Sequence, residues 1–223
     1  MSEREIPRQP ALAPYTHDDR LLAAVLRAEI PRFTVYVLPA VAVVLGRGGD
    51  PDVELKVGNV TRDGVPVLKR PGGGCAVVLD PGNVIVAVAL PLPGLAGIRT
   101  AFREISDWVI AGLASLGVAG VRQRGVSDLA LGERKIGGAC IYRTRGLLYY
   151  ATTLLVRPDL DLVDRYLQHP PREPDWRRGR QHRDFMGRLP ARVGRRGADA
   201  VAGELQSALA ASRLLDTQIR VLD

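Results

Sequence analysis

Between Arg70 and Asn83 the chain reads R-P-G-G-G-C-A-V-V-L-D-P-G-N. Glycines behind an arginine and ahead of an apolar run let a ligand approach the backbone, where successive amides can hold an anion. A second segment, K-I-G-G, places Lys135 beside Gly137 and Gly138 at the start of another apolar stretch. Lys56, Lys69 and Lys135 are the only lysines among 31 basic residues. Against that background each ammonium is a compact point charge that arginine does not replace at a tight site. An arginine, a run of amides and one ammonium together fit a phosphate or an activated carboxylate. The spacing is neither that of the P-loop nor that of the dinucleotide fingerprint. The plain alternatives are a strand connection packed for shape and an edge lysine that keeps a sheet soluble.

The composition sets bounds on this chemistry. A chain of 223 residues fits one domain, or one with a small appendage. The net charge of +7 admits nucleic acid, an acidic protein or an anionic substrate as partner. Trp176 and Phe185 are the only aromatics within the dense arginine stretch 172–196, too few for a stacking platform that would favour single-stranded nucleic acid. Cys75 and Cys140 cannot build a disulfide framework, and no C-x-x-C pair points to zinc. The N-terminus has no apolar core of a secretory signal, and the apolar runs are too short to span a bilayer. The expected location is cytoplasmic, with no membrane partner.

These groups need elements to position them. Residues 1–15 read as a loose arm and residues 16–223 as one domain. A helix is expected from Thr16, as cap, to about Glu29. Strands are expected at Phe33 to Leu38, Val41 to Leu45, Pro66 to Arg70, Cys75 to Leu79 and Val84 to Leu90, with D-P-G-N as a hairpin turn between the last two. Pro51 to Val57 reads as a helical turn. Ile98 to Leu116 is the clearest helix, closed by Gly117. Strands follow at Val121 to Leu131, Glu133 to Tyr142 and Gly146 to Val156, then a short helix at Leu160 to Leu167. The Pro- and Arg-rich segment 168–196 reads as a functional loop. Ala198 to Leu214 reads as a last helix and Thr217 to Leu222 as a strand. Hairpins outnumber strand–helix alternations, so the expected class is α+β with a largely antiparallel or mixed central sheet flanked by helices.

Taken in order, R-P-G-G-G-C-A-V-V-L-D-P-G-N, then V-S-D-L at 126–129, then K-I-G-G resembles the lipoate–protein ligase family of the biotin/lipoate ligase superfamily. Its members carry R-R-x-[ST]-G-G-G-A-V-x-H-D-x-G-N, N-D-L and K-[IV]-S-G-S-A, and Gly46-Arg47 is similar to a further G-R of the family. The resemblance spans roughly residues 20–190. It implies a catalytic domain related to biotin ligases and class II aminoacyl-tRNA synthetases. It also implies activation of lipoate or octanoate with ATP and Mg2+ to an acyl-adenylate, then transfer to a lysine of a lipoyl carrier protein. That carrier could be a glycine-cleavage H-protein, a dehydrogenase E2 lipoyl domain or a specialised lipoate-binding protein.

Carried over by position, Lys135 would bridge the acyl carbonyl and the adenylate phosphate. Arg70 would meet the phosphates, and Gly73, Gly74, Cys75, Ala76, Val77 and Val78 would act mainly through their amides. Asn83, Asp128 and Gly138 complete the implied binding set. Arg180 stands for an arginine loop that closes over the adenylate, with Arg177, Arg178 and His182 as further candidates. Other arginines there could meet an acidic carrier surface. The chain departs from the family at Cys75 for a glycine, Leu79 for a histidine, Ser127 for an asparagine and Ala151-Thr152-Thr153 for H-G-[ST]. Larger members carry a C-terminal accessory domain; this tail is too short for one, so that function would lie on a separate subunit or be dispensed with. Two other readings stay open. One is an ATP-independent octanoyl or lipoyl acyltransferase working through Cys75 or Cys140. The other is a non-catalytic module that binds the lipoyl carrier.

Overall fold

A computed structural model describes residues 10–92, 97–144 and 146–211. The strands run β1 Leu12–Pro14, β2 Arg32–Tyr36, β3 Ala42–Leu45, β4 Val67–Lys69, β5 Val77–Leu79, β6 Asn83–Pro91, β7 Val121–Arg124, β8 Asp128–Leu131, β9 Arg134–Thr144 and β10 Leu147–Leu155. The helices are α1 Asp19–Ala28, α2 Pro51–Glu54, α3 Val57–Arg62, α4 Ile98–Ser115, α5 Leu160–Tyr166, α6 His182–Phe185, α7 Ala191–Gly194 and α8 Ala198–Ala211, with a 3-10 turn at Asp175–Arg177.

The strands form two sheets. The larger is antiparallel throughout, in the order β2-β6-β10-β9-β8-β7. The smaller, β1-β4-β3-β5, is mixed: β4 pairs parallel with β1 and β3, while β5 runs antiparallel to β3. This is the mixed α+β class that the hairpin count predicts.

The reason β6 reads as unbroken apolar sequence is that both of its faces are covered. Val84, Val86, Val88 and Leu90 join Trp108, Val109 and Leu113 of α4 and Val201, Leu205 and Leu209 of α8 in the main core. Ala87 and Ala89 turn the other way, onto Leu21 and Val25 of α1 and onto Tyr149 of β10. A second core lies between the smaller sheet and α5, from Val43, Leu45, Val67 and Val78 to Val163 and Tyr166.

Several expectations are corrected. Leu12–Pro14 are not part of a loose arm but a strand in register with Val67–Lys69. The D-P-G-N turn makes no hairpin, because β5 and β6 belong to different sheets. The corner is tied elsewhere: Asp80 Oδ1 accepts from the Gly82 amide at 2.5 Å and Oδ2 from the Asp159 amide at 3.0 Å, so the chain leaves one sheet and enters the other. Helix α1 is not capped by Thr16; it starts after Asp18, whose side chain is used in a different place. The stretch 121–131 is two strands, and 169–196 contains three short helical turns. The expected strand at 217–222, residues 1–9 and the end of the last helix lie outside the described residues.

Candidate active site

A cavity of about 520 Å³ opens where the two sheets meet. Its lining includes Arg70, Gly74, Cys75, Ala76, Val77 and Val78 from the first motif, and Asp128, Lys135 and Gly138 from the others. Gly73, Asn83 and Arg180 do not line it. Asn83 is buried at the corner with Asp80, donating to the Asp80 carbonyl at 3.2 Å.

Lys135 reaches this cavity through an irregularity in its strand. Asp128 faces Gly138 and Leu129 faces Gly137, but Ala130 faces Lys135, so Ile136 is the extra residue of a bulge. Strict alternation would place Lys135 on the face of Ala139 and Ile141, against the main core. The bulge sends Ile136 into that core and turns Lys135 onto the face of Gly138. There Nζ lies 2.6 Å from Oδ1 of Asp128. Asp128 is 5% exposed, and its Oδ2 accepts from Trp176 Nε1 at 3.1 Å. The ammonium is thus held by a carboxylate that is itself oriented. Gly138 is needed for closeness: a Cβ there would lie 3.0 Å from both Cε and Nζ of Lys135.

The glycine turn forms the facing wall. Gly74 takes φ of +92°, a conformation open to glycine. A Cβ on Gly46 would overlap the Gly74 carbonyl, which is why a glycine ends β3. Arg70 ties the turn together from within: Nη2 donates to the carbonyls of Gly73 and Cys75, both at 2.8 Å, and Nη1 to that of Val44 at 3.0 Å. Most of its donors are therefore spent on the turn. The Ala76 amide is likewise taken, by Oε2 of buried Glu54, which also lines the cavity. Val77 and Val78 sit in the ladder with Val44 and Val43. Among the described residues, the amides of Gly73, Gly74 and Cys75 have no internal acceptor. The amides left open thus belong to the first half of the motif. Glu54 had no sequence signal beyond its place after Gly46-Arg47.

The arginine-rich segment closes the third side. Cys75 Sγ donates to the Arg172 carbonyl at 3.5 Å, and the Gly187 amide to the Lys135 carbonyl at 2.8 Å. Trp176 and Phe185 pack at 4.4 Å between ring centres, with Arg124 4.5 Å over Trp176. Arg180 stacks on both rings and donates to the carbonyls of Glu133, Trp176 and Arg177. It holds the loop and does not face the cavity, whereas Arg177 and His182 are buried in its wall. Arg178 is exposed.

The fourth side is apolar, with Leu79, Ile85 and Ala151. Leu79 and Ala151, which replace the family's histidines, both face the cavity, so its wall is drier there than the motif implies. Tyr15, Tyr149 and partly buried Cys140 close it. Behind them Asp18 is 4% exposed and accepts from Tyr36 at 3.0 Å and from Tyr149, while Tyr15 lies 2.7 Å from Tyr36. Burial pushes the Asp18 carboxyl above its ordinary value against the pull of the two hydroxyls, and pushes the Cys140 thiol up.

One family model, the lipoyl protein ligase A/B catalytic domain, matches residues 10–196. The chain belongs to this family. It is 28% identical over 181 residues to an Aeropyrum pernix protein assigned as lipoate-protein ligase A, covering 80% of this chain and 63% of that protein. In fold it is similar to a bi-partite lipoate protein ligase of Thermoplasma acidophilum, studied with its E2 lipoyl domain, at TM-score 0.65 and 20% identity over 96% of this chain and 91% of that one. A lipoate-protein ligase A bound with ATP gives TM-score 0.64 and 20% identity over 96% and 94%. The chain spans less than two thirds of the length of the Aeropyrum relative.

Proposed function

We propose that this chain activates lipoate or octanoate with ATP and passes the acyl group to a lysine of a lipoyl carrier protein. The observation that carries the reading is the pairing of Lys135, fixed by Asp128, with the open amides of Gly74 and Cys75 around one cavity. The ATP-bound ligase of the same fold and the lipoyl domain studied with the Thermoplasma ligase support it.

A carboxylate oxygen of the acid attacks the α-phosphorus of ATP, and the bond to pyrophosphate breaks. Lys135 offsets charge that grows on the phosphoryl oxygens and polarises the acyl carbonyl. The neutral amine of the acceptor then attacks that carbonyl, AMP leaves and the amine's proton is lost. A preorganised donor of this kind contributes about 3–4 kcal/mol at the transition state. Mg2+ would arrive with the phosphates of ATP, since among the described residues no trio of His, Cys, Asp or Glu is gathered to hold a metal. Exposed Arg172, Arg178 and Arg188 border the loop that walls the cavity and suit an acidic carrier.

The test is Lys135→Ala with acyl-dependent exchange of pyrophosphate into ATP and with carrier acylation read by intact mass. Both should fall by about 100-fold to 1000-fold while the melting temperature holds. Wild-type rates in the folded variant would remove the mechanism. Cys75 and Cys140 both line the cavity, which keeps an ATP-independent thioester route as second reading. An acylated cysteine after incubation with an acyl-carrier donor, without pyrophosphate release, would favour it. A protein that binds the carrier but catalyses neither reaction would be the non-catalytic module.

A further inference from the structure

The cavity wall holds a buried carboxylate to which the reaction above gives no part. Glu54 ends α2 and is 6% exposed, yet it lines the cavity. Glutamates are seldom buried unless they are paired. Among the described residues Glu54 forms no ion pair. Its side chain has one hydrogen-bond partner there, the Ala76 amide, which donates to Oε2. A Cβ on Gly49 would lie 2.8 Å from Oε1, so a glycine at that place lets the side chain pass toward the turn.

That single contact falls on a particular peptide. The Cys75 carbonyl accepts from Nη2 of Arg70 at 2.8 Å, and the Ala76 amide of the same peptide unit goes to Glu54. A peptide is planar, so a cation at its oxygen and a carboxylate at its nitrogen fix its orientation. The segment before it needs such a clamp, since Gly72, Gly73 and Gly74 leave the backbone free to turn over. From Val77 onward the ladder with β3 does the holding. The main chain of Glu54 is tied elsewhere: its carbonyl accepts from the Gln168 amide at 2.9 Å, and Leu55 bridges Leu167. Gln168 leads into the segment whose Arg172 carbonyl accepts from Cys75 Sγ. Glu54 therefore sets the glycine turn by its side chain and the start of the facing wall by its backbone.

We propose that Glu54 is the positioning residue of the glycine turn: with Arg70 it clamps the Cys75–Ala76 peptide, so that the Gly74 and Cys75 amides are aimed into the cavity before the nucleotide arrives. The inference rests on the acyl-adenylate reading and adds a residue that lies outside the motifs. Donors fixed beforehand need no reorganisation when the anion binds. Without Glu54 the Ala76 amide is open as well, the peptide can rotate, and the two amides lose their common aim.

The experiment compares the full chain with Glu54→Gln, Glu54→Met and Glu54→Ala by amide hydrogen exchange, by pyrophosphate exchange and by thermal melts. In the ligand-free parent the Ala76 amide should be protected while those of Gly74 and Cys75 exchange freely; added ATP should slow the latter two about 10-fold or more. Glu54→Met, whose thioether accepts only weakly, should deprotect Ala76 and raise the KM for ATP about 10-fold to 100-fold, with the KM for the acid unchanged. Glu54→Gln, whose side-chain carbonyl can still accept from Ala76, should return both readouts close to the parent's. If Glu54→Met does not fold, Glu54→Ala takes its place, and if neither folds the exchange pattern of the parent decides. An Ala76 amide as open as its neighbours in the parent would overturn the inference alone. So would a parental KM for ATP in the folded Met or Ala variant, an equal rise in both KM values, or a Gln variant no better than Met. A parent that exchanges no pyrophosphate into ATP overturns the acyl-adenylate reading and this role with it.

Discussion

At the scale of the residue, the site depends on a few close contacts that tolerate no added atom. Lys135 lies over Gly138, and a methyl group there would meet Cε and Nζ at 3.0 Å. Gly138→Ala should therefore swing the ammonium away from Asp128 and cut acyl transfer more than 10-fold, since displacements of about 1 Å at a reacting centre cost that much or more. Its thermal stability should stay close to the parent's, because the new atom points into the cavity and not into the core. Activity equal to wild type in that variant would mean that Lys135 is not confined as the geometry implies. Arg70 has a supporting role by the same logic, fixing carbonyls so that the amides of Gly73 to Cys75 stay open.

At the scale of the element, α2, α3 and α5 bring one wall of the cavity into place. Asp63, at the end of α3, takes both Nε and Nη2 of Arg165 on α5, at 2.5 and 2.9 Å, and the Tyr166 hydroxyl at 3.0 Å. The Arg165 hydrogen bonds, chiefly, pull the Asp63 carboxyl from 3.8 down to about 2. A depressed carboxyl stabilises the fold above its ordinary titration range, and that contribution is lost as the pH falls toward about 2. Asp63→Asn should therefore flatten the acid limb of a melting-temperature profile between roughly pH 4 and pH 2. The effect is small because the pair is solvent-facing. An unchanged limb would show that the clip contributes nothing. Gly46→Ala addresses the other wall: it should displace the Gly74 carbonyl and lower ATP affinity while the larger sheet stays folded.

At the scale of the whole molecule, the large sheet and its helices form a scaffold on which the smaller sheet and the arginine loop complete the site. Leu205 is fully buried between α8 and the sheet, away from the cavity lining. Leu205→Ala should cost about 2–5 kcal/mol in denaturant unfolding, with kcat per folded molecule unchanged. A matching loss of kcat would mean that scaffold and site are not separable. Saturating ATP with lipoate should raise the melting temperature of the parent by mass action, and the Lys135 variant should show a smaller rise.

The sequence by itself determined the family, the mixed α+β class and the segments that bear the chemistry, because motif order and hydrophobic period are local properties. It also marked Lys135, since one ammonium among many arginines is visible in the composition. What it left undecided needs contacts far apart in the chain. Period-two reading cannot find the bulge at Ile136, without which Lys135 would face the core. Nor can it see that D-P-G-N is a corner between sheets, because Asp80 answers to Asp159 across 79 residues. Arg70, Arg177 and Arg180 are alike as letters. Only the folded chain spends Arg70 and Arg180 on carbonyls and buries Arg177 in the cavity wall, because packing, not residue type, decides which donors remain unpaired.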